Sequence, residues 1–280
     1  MAREVWLIVN RASGSNDEAA LEALRAALDR ADLAPARTLS VPDDPVPDRH
    51  ALEAAGVELL VLFAGDGTAN AALLPLDGWG GQALVLPGGT QNLLARALHG
   101  ELSAEAIVGA FAELVPTRRH RVRSRHGDGL CEIVAGPGAT WSEVREALRE
   151  GTIGELAAAT SEAVAQTSSG PMVSLADPPL GKPEGYPAVR LHPAGDAIAV
   201  DAYGAESLAD YARQGLAILQ RDFRQGPHDT LGRHRTVLCR SDAAIELMID
   251  GERATGGREE RFTIAPFGVT LLAHPDRDRA

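Results

Sequence analysis

The sequence predicts an α/β domain built on a parallel sheet, followed by a mostly antiparallel β domain. Three observations carry this. Strand and helix signals alternate through the first third with short connections. Two glycine-rich loops follow apolar runs in that third. After Pro116 the pattern changes to many short strands with turn signals. The 280 residues suffice for one large domain or two modest ones. At 45% hydrophobic residues a sizeable core can form, and with aromatics at 4% it must be built from Ala, Leu, Val and Ile.

Glu4–Val9 is a short apolar run and reads as a buried first strand. Leu21, Leu24 and Leu28 at helical spacing predict a helix over Asp17–Arg30. Ala34–Val41 reads as a second strand, ending at Ser40 and a proline-rich loop. A short helix follows over Asp48–Ala55, with Gly56 just past its end. Glu58–Phe63 and Gln82–Leu86 are further buried strands, and Leu93–Leu98 and Ala104–Leu114 read as helices. Beyond, Arg118–His126 and Leu130–Val134 read as strands joined by a turn at Gly127-Asp128-Gly129, then a helix over Trp141–Glu150. Residues 151–182 are not assigned. Short strands are expected at Ala188–Leu191, Ala197–Tyr203, Thr236–Arg240, Ile245–Ile249 and Arg261–Ile264, with a helix over Glu206–Leu219. The domain boundary is expected near Leu114–Arg118, giving a first domain over 1–116 and a second over 117–265.

Composition excludes several function classes. The net charge of −12 lacks the basic footprint of a nucleic-acid-binding domain. No apolar run approaches the roughly 18 residues of a membrane span, and Val5–Val9 is too short for a signal-peptide core. Cys131 and Cys239 form no metal or disulfide pattern, which fits a reduced cytoplasmic setting. The single lysine, Lys182, lies in LGKPEG, so neither a Walker A loop nor a protein-kinase lysine can be built. Nucleotide phosphates would have to be held by backbone amides, arginine and metal.

The chemistry concentrates in three turns. In AGDGTAN, Gly65 and Gly67 allow close backbone approach, Asp66 projects a carboxylate suited to Mg²⁺, and Thr68 caps the helix behind it. In PGGTQN, Gly88 and Gly89 again remove side chains while Thr90 and Asn92 offer a hydroxyl and an amide. The first strand ends in Asn10-Arg11-Ala12-Ser13-Gly14-Ser15. Ligands of parallel sheets sit at the carboxyl ends of strands, so these turns predict a phosphate site on one rim.

Together NRASGS, AGDGTAN, PGGTQNLLAR and the late segment IELMIDGERA resemble the signature segments of the diacylglycerol kinase catalytic-domain family, which includes bacterial lipid kinases and sphingosine kinases and is related to NAD kinases. The resemblance implies an ATP-binding α/β domain and a C-terminal β-sandwich, with residues 266–280 returning to the first domain. It implies ATP and Mg²⁺ as cofactors, bound by Asn10, Ser13, Gly14, Ser40, Gly65, Asp66, Gly67, Thr68, Asn70, Gly88, Gly89, Thr90 and Asn92. It implies Glu252 as general base, Asp66 beside the metal, and Asp196 as a second metal position. The implied reaction moves the γ-phosphate of ATP to a lipid hydroxyl. A soluble acceptor such as NAD, or a nucleotide-binding regulator without catalysis, stays open, as do peripheral contact with the inner face of the membrane and a homodimer.

The sequence departs from the family in places. Ala64 replaces a glycine, and Leu93 stands where an acidic residue is usual. The family's Asn-then-triple-Gly segment is not recognisable between 151 and 195, and Asp196–Asp201 matches Asp-Gly-x-Leu-Asp poorly. RRHRVRSR at 118–125 would place Arg119, Arg121, Arg123 and Arg125 on one strand face, which reads first as a solvated face and second as a lipid-headgroup surface. His120 and His126 read as surface residues, and Trp141 and Met248 as packing residues.

Overall fold

The computed structural model describes residues 3–10, 18–140, 170–204 and 228–275. The helices expected over 141–150 and 206–219, Trp141, and residues 151–169 lie outside them. The chain divides into two compact units, one reaching Arg119 and resuming at Pro266, the other His120–Ala265.

In the first unit the elements run β1 (Val5–Asn10), α1 (Glu18–Arg30), β2 (Arg37–Val41), α2 (Arg49–Ala54), β3 (Leu59–Ala64), α3 (Asp66–Leu73), β4 (Gln82–Pro87), α4 (Leu93–His99), α5 (Ala104–Gly109) and β5 (Val115–Thr117). The second unit holds β6 (His120–Ser124), β7 (Gly127–Gly129), β8 (Ile133–Ala135), β9 (Ser174–Asp177), β10 (Pro179–Leu180), β11 (Ala188–Ala194), β12 (Ala197–Tyr203), β13 (Asp229–His234), β14 (Thr236–Arg240), β15 (Glu246–Ile249), β16 (Glu252–Thr255) and β17 (Glu259–Pro266). Strand β18 (Thr270–Ala273) returns to the first unit.

The first sheet has the order β2-β1-β3-β4-β18-β5, parallel from β2 to β18 and antiparallel between β18 and β5. Strands covered on both faces read as continuous apolar runs. Val5, Leu7 and Val9 of β1, with Leu59, Val61 and Phe63 of β3, pack under Leu24 and Leu28 of α1 and Ile107 of α5. The alternate residues Ile8, Leu60 and Leu62 are also buried. Local chemistry sets the helix ends. Asp48 accepts a hydrogen bond from the Ala51 amide at 2.8 Å to start α2, and Ser103 does the same for α5 through Ala106. The helix expected over 104–114 is shorter than its apolar spacing suggests: α5 stops at Gly109, and Phe111–Glu113 form a tighter 3-10 turn.

The second unit is a sandwich of two six-stranded sheets, β10-β9-β14-β17-β6-β7 and β13-β12-β11-β8-β15-β16. Period-two alternation supplies its core. Val189 and Leu191, Ile198 and Val200, Val237 and Cys239, and Leu247 and Ile249 meet Val122 and Phe262 there. The turn expected at Gly127-Asp128-Gly129 is instead β7, paired Val122↔Gly129 and Ser124↔Gly127. The reversal falls at Arg125-His126, where the Ser124 hydroxyl donates to the Gly127 carbonyl at 2.7 Å and accepts from the His126 amide at 3.1 Å. The strand expected over 188–191 continues to Ala194.

Candidate functional site

The sheet order explains where a ligand crevice can form. From β1 the chain crosses to β2 on one side, and from β3 it crosses to β4 on the other. The connections at the carboxyl ends of β1 and β3 therefore diverge and leave a gap. The registers Val9↔Phe63, Phe63↔Leu86 and Ala64↔Pro87 bring Asn10, Gly65 and Gly88 out at one level. Ser40 pairs with Val9, next to Asn10 on the same rim.

Three contacts knit the turns together. Asn10 Nδ2 donates to Thr68 Oγ1 at 2.8 Å. Asp66 Oδ1 accepts from the Leu94 amide at 3.0 Å, so the carboxylate of one loop caps the helix that follows the other. Gly65 and Gly89 touch through their backbones: a Cβ on Gly89 would lie 2.4 Å from Gly65 Cα. The approach depends on Gly89 having no side chain, whereas a Cβ on Gly65 would lie 3.4 Å from Gly89 Cα, an ordinary contact. Gly65 caps α3 without a side-chain hydrogen bond, and Asp66 occupies the first turn. The first amides of α3 thus lie at a half-exposed corner, an environment that favours an anion.

The remaining predicted residues take distinct positions. Asn92 serves its own loop, accepting from the Gly89 amide and donating to the Gly89 carbonyl, both at 2.7 Å. It adopts a left-handed φ of 53°. Thr90 is exposed, Gly67 half-exposed, and Gly88 and Asn70 buried. Ser40 closes a local turn with Asp44, its amide donating to the Asp44 carboxylate at 2.7 Å. Ser13 and Gly14 lie outside the described residues.

Glu252 opens β16 and is exposed. The hairpin partner of β15 is β16, with Ile249 opposite Glu252. Asp250 and Gly251 form its two-residue turn, with φ of 45° and 92°. Positive φ at both central positions is the I′ pattern, which Asp-Gly favours. Sequence reasoning gave Asp250 no role of its own, yet it is buried and accepts three backbone hydrogen bonds.

Asp196 sits at the tip of the β11–β12 hairpin, exposed and paired with Arg235 at 3.0 Å. No cluster of three or more His, Cys, Asp or Glu suited to a metal occurs among the described residues. Among the described residues Asp196 belongs to no such group. The single carboxylate of Asp66 fits Mg²⁺, which commonly takes most of its ligands from phosphate and water.

The arginine run 118–125 does not form one stripe. Arg119 lies in the first unit, where its carbonyl accepts from the Phe267 amide at 2.9 Å. Arg121 and Arg123 flank Asp128 at 3.1 and 3.5 Å. On the same sheet Arg240 pairs with Glu259 at 2.7 Å and Arg261 with Asp177 at 3.6 Å. Arg125 leaves the strand to bind buried Glu260 at 2.8 Å, joined by His126 at 3.0 Å. Burial pushes the Glu260 carboxyl up, but hydrogen bonds from Arg125, the Gly257 amide and His126 outweigh it and hold it below the usual range. His126 is an exposed residue, as expected, whose ring also meets Glu260.

Residues 4–123 match the diacylglycerol kinase catalytic domain family. Three solved structures are similar in fold. A putative diacylglycerol kinase from Bacillus anthracis is 17% identical, with a TM-score of 0.64 and coverage of 98% of this chain and 96% of that one. A second diacylglycerol kinase from the same organism is 14% identical, with a TM-score of 0.61 and coverage of 98% and 97%. Yeast NADH kinase complexed with NADH is 11% identical, with a TM-score of 0.52 and coverage of 99% and 85%. No curated protein matches the sequence.

Proposed function

We propose that this chain, which carries a diacylglycerol kinase catalytic domain match over residues 4–123, is a phosphotransferase that moves the γ-phosphate of ATP to a hydroxyl of a lipid acceptor. The observation that carries this reading is the mutual contact of three turns at the rim of the first sheet, through Asn10–Thr68, Asp66–Leu94 and Gly65–Gly89.

Phosphoryl transfer asks a protein mainly for positioning and neutralisation of charge. Backbone amides at the start of α3 and in the 88–90 turn hold phosphate oxygens without a lysine. Mg²⁺ beside Asp66 would offset negative charge on the transferred group. Glu252 takes the proton of the acceptor hydroxyl, directly or through one water. Asn10, Ser13, Gly14, Ser40, Asn70, Thr90 and Asn92 shape the nucleotide side.

A soluble acceptor is the second reading, and the charge pairing on the β10-β9-β14-β17-β6-β7 sheet supports it. Among the described residues Arg121 and Arg123 share Asp128, Arg240 pairs with Glu259 and Arg261 with Asp177, so most of the positive charge of these four side chains is met by carboxylates rather than offered to anionic headgroups. One experiment separates the readings: turnover of labelled ATP with diacylglycerol in detergent micelles and, separately, with NAD. Label extracted into organic solvent supports the lipid, and label retained in water supports the soluble alcohol. ATP binding by calorimetry without turnover on either acceptor supports a regulator. Glu252→Gln is expected to abolish transfer while leaving ATP affinity within about twofold, since it removes a base and no phosphate contact. Undiminished turnover in that variant rejects the base assignment.

A further inference from the structure

We infer that Asp250 is a positioning residue for the transfer reaction, locking the turn that presents Glu252. The inference rests on the reading of Glu252 as general base. Asp250 is 1% exposed, although it belongs to a hairpin turn, where carboxylates are ordinarily solvated. Its Oδ2 accepts from the Leu130 amide at 2.6 Å, and its Oδ1 from the amides of Cys131 at 3.0 Å and Glu132 at 2.8 Å. The backbone returns the contact, with the Asp250 amide donating to the Glu132 carbonyl at 3.1 Å. Three consecutive amides around one carboxylate make a closed cradle, and charge-assisted bonds of this kind are the stronger ones.

The cradle is itself anchored. The Glu132 side chain is buried and held by Arg190 at 2.6 Å, and Arg190 lies 3.6 Å from Asp201. Asp201 in turn meets His192 at 3.2 Å. The β15–β16 turn is thereby fixed at its tip to β11 and β12 through side chains, in addition to its strand pairing. Asp250 and Glu252 are separated by one residue, Gly251, whose φ of 92° suits glycine. A shift of the cradle therefore passes directly to the base. The buried carboxylate has no part in proton transfer. It sets where the neighbouring one stands.

Asp250→Asn separates the cradle from the turn. Asparagine tolerates positive φ and favours the I′ turn as well as aspartate does, but its amide cannot accept all three N–H groups. Gly251→Ala does the converse, leaving the carboxylate in place and straining the turn. With diacylglycerol in micelles and NAD as acceptors, Asp250→Asn is expected to lower kcat by about 10²-fold, the scale that roughly 1 Å of misplacement costs. ATP affinity should be unchanged and thermal unfolding should stay cooperative. A folded variant with kcat within about twofold of the parent overturns the proposal, because misplacement of a base must reach kcat. If Asp250→Asn does not fold, Gly251→Ala decides: the same loss in kcat supports the proposal, and an unchanged kcat overturns it. Glu252→Gln, measured alongside, keeps the two readings apart. Full turnover there removes the base and this inference with it, whereas a dead Glu252→Gln beside an active Asp250→Asn removes only this inference. A parent protein silent on both acceptors removes both.

Discussion

Gly89 and Gly65 show how closely two turns can approach where a single side-chain atom is missing. Their backbones meet where any Cβ on Gly89 would fall 2.4 Å from Gly65 Cα. Gly89→Ala is therefore expected to destabilise the protein by about 1–3 kcal/mol, the usual cost of overpacking. It should also weaken ATP binding, because the amides on both sides of the contact are pushed apart. Denaturant titration and calorimetry check both effects. Gly109→Ala serves as the control: nothing lies within 4 Å of its Cβ position, and its φ is ordinary, so a change of about 0–1 kcal/mol in the stabilising direction is expected. At this scale the sequence was legible for identity but less so for role. Gly65, Asp66 and Thr68 announced themselves by their spacing. That Asp66 caps α4, that Asn92 is spent on its own loop, and that Asp250 is buried all depend on partners remote in the chain or on loop geometry that no local pattern encodes.

At the level of elements, the apolar runs gave the sheet interiors directly, because buried parallel strands and alternating sandwich strands leave different marks. β12 and β14 fall where alternation places them. β9, β10 and β13 went unseen, since short and edge strands need carry no such pattern. Packing between elements also creates a titratable interior. His99 of α4 is buried, and burial, reinforced by nearby His274 and opposed by the Val85 backbone, lowers its pKa from 6.5 to about 4. The unfolded chain thus gains a proton near pH 6.5 while the folded one resists until about pH 4. Between those values the unfolded state binds more protons, so stability falls as the pH falls. The loss from this group approaches about 3 kcal/mol at the acid end. His99→Leu should flatten that part of the stability curve, as measured by denaturant midpoints between pH 7.5 and 4.5. A curve unchanged in slope would show that His99 titrates normally.

Across the molecule, β18 sits between β4 and β5, although it follows the whole second unit in sequence. The family match ends at residue 123 and so omits it. A chain ending at Ala265 is expected to lose ATP binding and cooperative unfolding in the first unit, because β5 would have no neighbour and Leu271, Leu272 and Ala273 would be missing from the core. Circular dichroism and calorimetry on the shortened chain test this. The place of β18 in the first sheet could be expected only from the family resemblance, since a short strand inserted between two others leaves no local trace of its neighbours.

That insertion also sets an order of events during synthesis. The second unit is continuous, so every strand it needs has been made before β18 leaves the ribosome. The first unit must wait for the last strand, with the edges of β4 and β5 unpaired in the meantime. Along the chain, the later unit is therefore complete before the earlier one is.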